Sequence, residues 1–131
     1  MTANKSKILI IDDDAEIRYS LDRVLNQDGH DLISADSGET GIETAKNEKP
    51  QLIFLDNRMG GISGIETLQH LRTASPDSLV ILMTAYGTSQ TAIEAMKHGA
   101  FDYVLKPFDL VKLKDLVAKA LKAGRDALSS E

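Results

Sequence analysis

Short apolar runs alternate with longer amphipathic segments along the whole chain. The runs KILII (7–11), DLISA (31–35), LIFL (52–55), LVILM (79–83) and YVL (103–105) have the length and residue types of strands. Between them, segments near 15–27, 38–47, 64–73, 88–98 and 109–123 repeat apolar residues at intervals of three and four, the spacing of one helix face. Ile17, Leu21, Val24 and Leu25 form such a face in the first helix, and Leu113, Leu116, Val117, Ala120 and Leu121 in the last. Five strand–helix units with short connections predict right-handed crossovers and an α/β fold. The sheet is expected to be parallel and doubly wound, with helices on both faces. The helix at 88–98 offers only Ala92, Ile93, Ala95 and Met96. At about 25 cal/mol per Å² of apolar surface, that face anchors more weakly than the leucine-rich last helix. Weakly held elements are where proteins move; a small-residue face that packs closely is the other reading. Beyond Gly124 the polar tail RDALSSE is expected to fray or to lead into a further segment.

The 131 residues suit one domain, and 42% apolar content supports a packed core. The absence of Cys excludes disulfides and thiolate zinc sites. MTANKSK lacks the apolar run of a signal peptide, and no stretch approaches membrane-span length, so a soluble cytoplasmic protein is expected. The net charge is −5, with no basic stripe interleaved with aromatics, which argues against direct nucleic-acid binding.

The candidate chemistry lies where the strands end. Asp12, Asp13 and Asp14 follow the first strand, Asp56 the third, Thr84 the fourth and Lys106 the fifth. Each alone has an ordinary structural explanation: Asp14 as a helix cap, Asp56 as a turn residue, Lys106 as a solvated lysine. In a parallel sheet, however, all four ends share one edge, where open α/β sheets bind ligands. Two carboxylates about 5 Å apart repel by about 3 kcal/mol at an effective dielectric of about 20, so a partly buried acid cluster demands a cation. Magnesium prefers hard carboxylate oxygens and commonly bridges to phosphate. With a lysine as point charge and a threonine hydroxyl as donor, the set describes phosphoryl transfer, and Asp56 is the candidate nucleophile.

This pattern resembles the receiver domain of two-component response regulators over roughly residues 5–123, with 124–131 as a tail or the start of a linker. The motif is an acid pair (Asp12, Asp13), then Asp56, then Thr84, then Lys106-Pro107. The resemblance implies a flavodoxin-like strand order 2-1-3-4-5 and a phosphoryl group accepted on Asp56 from a sensor histidine kinase. It implies Mg²⁺ held directly by Asp13, Asp56 and the backbone carbonyl of Arg58, and by Asp12 through water. Lys106 and Thr84 would contact the phosphoryl oxygens, Ala85 would leave the path open, and Tyr103 would follow Thr84 as a switch. Arg58 and Tyr86 stand where receivers tune the phosphoryl lifetime. A surface built from residues 88–121 would then control an output, with phosphorylation-dependent dimerisation one form of it. Such a domain catalyses its own phosphorylation and dephosphorylation without being a dedicated turnover enzyme.

GAFDYVLKPFD and MTAYG most resemble receivers of enhancer-binding transcription activators. Those carry an ATPase and a DNA-binding domain, neither of which is in this sequence, so an excised receiver is expected and a stand-alone one is the alternative. The sequence has RMGG where the family usually has RMPG, and Gly60 loosens the loop after Asp56. A haloacid-dehalogenase-type phosphatase also uses strand-end Asp, Thr and Lys with Mg²⁺. It wants a second acid two residues after the nucleophile, where this chain has Arg58. A flavin binder shares the sheet order but would meet an acidic edge in place of a phosphate loop.

Overall fold

The computed structural model describes residues 6–57, 62–85 and 90–129, with backbone alone at 91, 128 and 129. Five strands and five helices alternate: β1 (Lys7–Ile11), α1 (Ala15–Asn26), β2 (Asp31–Ala35), α2 (Gly38–Glu48), β3 (Leu52–Asp56), α3 (Gly64–Ala74), β4 (Leu79–Thr84), α4 (Gln90–Lys97), β5 (Asp102–Leu105) and α5 (Leu110–Ser129). The sheet is parallel throughout with order β2-β1-β3-β4-β5, the expected flavodoxin-like arrangement.

The side-chain alternation of the strands divides the core into two layers. Ile8, Ile10, Leu52, Phe54, Ile81 and Met83 point to one face, where Leu21 and Leu25 of α1 and Leu113, Val117, Ala120 and Leu121 of α5 cover them. Leu9, Ile11, Ile53, Leu55, Val80 and Leu82 point to the other, beneath Ala45 of α2, Leu68 and Leu71 of α3 and Ala95 of α4. β3 is buried at all five positions, because it lies in the middle of the sheet with helices on both sides. Its unbroken apolar run follows from that position.

Side-chain caps fix where helices begin, and Asp109 accepts from the N–H groups of Val111 and Lys112 at the start of α5. Asp14, Ser37 and Ser63 each accept a hydrogen bond from a backbone N–H in the first turn of α1, α2 and α3, satisfying donors that the helix itself leaves open. At the other end of the chain the expectation of fraying after Gly124 is corrected: α5 continues to Ser129. The added residues are polar but include good helix formers, and Lys122 pairs with Asp126 across one turn at 3.0 Å.

The apolar face expected for α4 is also corrected. Ala92 and Ala95 are buried, whereas Ile93 is 48% exposed and Met96 44% exposed. This helix therefore rests on two methyl groups from its alanines. Just beyond its C-terminal end, His98 Nδ1 lies 3.4 Å from Gln69 Nε2 of α3. With so little apolar area holding it, α4 should open more readily than its neighbours. Hydrogen exchange should show amides 93–97 less protected than the central amides of α3 and α5. Equal protection would show that α4 is held by something other than its buried face.

Candidate functional site

The pairing register carries two acids to the same place. β1 and β3 are adjacent, and their last paired residues are Ile11 and Leu55, so Asp12 and Asp56 follow side by side. Each also continues the alternation of the strand before it, Asp12 after Ile8 and Ile10, Asp56 after Leu52 and Phe54. Sheet-like hydrogen bonds persist past the strand ends and steady the backbone beneath. The N–H of Asp12 donates to the carbonyl of Ala35 (3.1 Å), that of Asn57 to Met83 (2.9 Å) and that of Lys106 to Thr84 (2.9 Å).

From β5, the Lys106 ammonium reaches across the edge and donates to Asp12 Oδ2 and to Asp56 Oδ1, each at 3.0 Å. Asp12 is fully buried and Asp56 is 5% exposed, so neither carboxylate is screened by bulk water. Burial pulls the Lys106 pKa down, but its hydrogen bonds and charge interactions with Asp56 and Asp12 outweigh this and hold it above the ordinary lysine value. The ammonium therefore stays charged between the two acids at neutral pH. Asp12 is held at every polar handle: its Oδ1 accepts the N–H of Asp14 (2.9 Å), and its carbonyl accepts Arg18 Nη1 (2.7 Å). Asp14 itself caps α1 by accepting from the N–H of Glu16 (2.9 Å), which confirms its structural role.

Asp13 lies exposed beside the buried pair, and ligand oxygens of Asp12, Asp13 and Asp56 fall within 4.8 Å of one another. Oxygens on opposite sides of a single octahedral Mg²⁺ are about 4.2 Å apart, given bonds of about 2.1 Å. The cluster thus fits a hard cation held by two carboxylates, with the third reached through water or by a small closure. Thr84 is buried at the end of β4 and lines the same cleft, together with Asn57, Met83 and Ala85.

Of the residues expected from the sequence, Asp12, Asp13, Asp56, Thr84 and Lys106 converge here. Tyr103 does not line the cleft. It is half-buried on β5, opposite Leu82 in the pairing, and packs against the core layer under α2, α3 and α4. Arg58, Gly60 and Tyr86 lie outside the described residues. Sequence reasoning missed Arg18, Asn57 and Gly64. Asn57 was open to it as the residue next to Asp56, whereas the other two act through backbone contacts that no periodicity reveals.

The model of the response regulator receiver domain matches residues 8–118. The chain belongs to this family. A receiver is a phosphorylation-dependent switch of a signalling protein rather than a member of a dedicated enzyme family, which sets aside the phosphatase reading. Regulatory protein AtoC of Escherichia coli is 38% identical over 117 residues, which cover 89% of this chain and 25% of that protein. The chain therefore spans about a quarter of that relative. Sporulation initiation phosphotransferase F of Bacillus subtilis is 36% identical over 115 residues, 88% of this chain and 93% of the other. Among solved structures, the receiver domain of NtrX from Brucella abortus superposes with a TM-score of 0.82 at 28% identity, covering 88% of this chain and 98% of that one. A further relative, the transcriptional regulatory protein ZraR of Escherichia coli, is 36% identical over 121 residues, 92% of this chain and 27% of the protein.

Gly64, the first residue of α3, bears directly on this receiver's cleft. A Cβ there would lie 2.9 Å from both Cα and O of Asn57 and 3.0 Å from O of Asp56, all backbone atoms that cannot rotate aside. The bare glycine lets α3 close against the chain leaving Asp56. Gly64→Ala should lower stability by about 1–3 kcal/mol in denaturant unfolding, the usual cost of overpacking. Unchanged stability would show that the backbone after Asp56 yields freely.

Proposed function

We propose that this receiver takes a phosphoryl group on Asp56 from the phosphohistidine of a sensor kinase, with Mg²⁺, and passes the signal to an output domain. The observation that carries the reading is the Lys106 ammonium held 3.0 Å from both Asp12 and Asp56 beside exposed Asp13. An Asp56 carboxylate oxygen attacks phosphorus, the phosphorus–nitrogen bond breaks, and its electron pair returns to the imidazole. Lys106 then meets a phosphoryl oxygen as a point charge, and the Thr84 hydroxyl donates to another. Bound Mg²⁺ supplies charge neutralisation between the carboxylates and the incoming phosphoryl group. Asp13 and Asp56 are its proposed direct ligands, with the Arg58 carbonyl, and Asp12 its ligand through water. Because these groups all belong to one chain, a small acyl phosphate should serve as donor without a kinase.

The output arises from a shift between two existing states. Movement of Thr84 toward the phosphoryl group opens space for Tyr103 to turn inward, and α4 follows because two buried alanines hold it. Ile93, Met96 and Leu105 are already exposed there, so the altered face is suited to an output domain or a second copy. The output in this reading is transcriptional, through ATPase and DNA-binding domains like those of activators, and the setting is cytoplasmic. Among the described residues no helix is long and apolar enough to cross a membrane. Arg58 and Tyr86 are the proposed determinants of how long the phosphoryl group survives hydrolysis.

The test is stoichiometric labelling. Incubated with acetyl phosphate and Mg²⁺, the wild-type chain should gain one phosphoryl mass, lost with chelator and absent in Asp56→Asn. Asp13→Ala should lower Mg²⁺ affinity and labelling together. Comparable labelling of Asp56→Asn would place the phosphoryl group elsewhere and end the reading.

A further inference from the structure

Arg18, on the first turn of α1, has no part in the chemistry proposed above. Its Nη1 donates to the main-chain carbonyl of Asp12 at 2.7 Å, six residues earlier in the chain. This is a short, charge-assisted bond to a fully buried residue. The choice of partner is informative. Asp12, Asp13 and Asp14 stand in sequence immediately before α1, yet among the described residues Arg18 forms an ion pair with none of them. It is therefore committed to a backbone oxygen where carboxylates are close in sequence.

That oxygen belongs to the peptide joining Asp12 to Asp13. The rest of Asp12 is fixed from other directions, by Ala35 at its N–H, by Lys106 at Oδ2 and by Asp14 at Oδ1. With Asp12 held in place, the direction of its carbonyl sets its ψ angle, and that angle sets where the chain carries Asp13 relative to Asp56. We infer that Arg18 is a positioning residue for the cation site: by holding the Asp12 carbonyl, it aims Asp13 at the Mg²⁺ that Asp13 and Asp56 would share. The inference rests on the reading of the acid cluster as that site. Its chemistry is that of an outer partner fixing a metal ligand, here through the main chain.

Positioning and charge make opposite predictions, which allows a clean test. Arg18→Met removes the donor and the charge; Arg18→Gln removes the charge but keeps an N–H donor on a shorter stem. If Arg18 acted as a nearby positive charge, both variants would bind the cation more tightly. If it positions Asp13, Arg18→Met should weaken Mg²⁺ binding by about tenfold, the lower end of the usual cost of losing an outer partner. Arg18→Gln should then bind at least as well as wild type. Titration calorimetry with MgCl₂ on the whole chain reads this, and metal-free NMR gives a second readout. The Asp13 amide, next to the bonded carbonyl, should shift in Arg18→Met and stay close to wild type in Arg18→Gln. Unchanged or tighter Mg²⁺ binding in Arg18→Met, with Asp13→Ala still impaired, would overturn the role of Arg18 alone. Absence of Mg²⁺ binding in the wild type would overturn the cation site and the inference with it.

Discussion

The structure depends on one ammonium placed between two buried carboxylates. Asp12 and Asp56 emerge side by side from the two central strands, where neighbouring helices exclude water and repulsion is weakly screened. Lys106 approaches from the far edge strand and bonds to both. The acids are thus tolerable without a metal, and Asp13 adds a further carboxylate beside the pair. In the sheet beneath, β3 is buried along its whole length and β1 from Ile8 onward. A cleft lined by three carboxylates is suited to a small divalent cation and, through it, to a phosphoryl group.

The remainder of the molecule is graded around that edge. On one face α1 and α5 bury leucines and valine against Phe54 and its neighbours. On the other, α4 contributes two alanines and leaves Ile93 and Met96 in solvent. Apolar burial is dense beneath α1 and α5 and thin beneath α4. Between them, β4 and β5 link the cleft to α4: Thr84 closes β4, and Tyr103 pairs opposite Leu82 on the adjacent strand.

Much of this was legible in the residues themselves. Apolar runs ending in Asp12, Asp56, Thr84 and Lys106 could be placed at one edge because parallel strands have only one carboxyl edge, and Asp14 could be read as a cap. Other features required the folded chain. Ile93 and Met96 fall at helical spacing with Ala92 and Ala95, but spacing does not say whether anything covers them. The segment after Gly124 is polar, and polarity suggested fraying although Arg125, Asp126 and Ala127 are compatible with continuing α5. Gly64 and Arg18 are invisible to pattern reading for a shared reason: each acts on backbone atoms of the strand end just before its helix, and a backbone contact leaves no periodic trace.

In the proposed reading, Lys106 and Mg²⁺ are complementary sources of positive charge for the same acids, and Mg²⁺ affinity in Lys106→Met tests this. Removing the ammonium leaves Asp12 and Asp56 less neutralised, and repulsion between the lysine and the cation disappears. Calorimetry at fixed ionic strength should show Mg²⁺ binding about three- to tenfold more tightly than to wild type, while phosphorylation by acetyl phosphate becomes slower. Weaker or unchanged Mg²⁺ binding in a folded Lys106→Met variant would contradict the account, because the ammonium and the cation would then not be balancing the same charge.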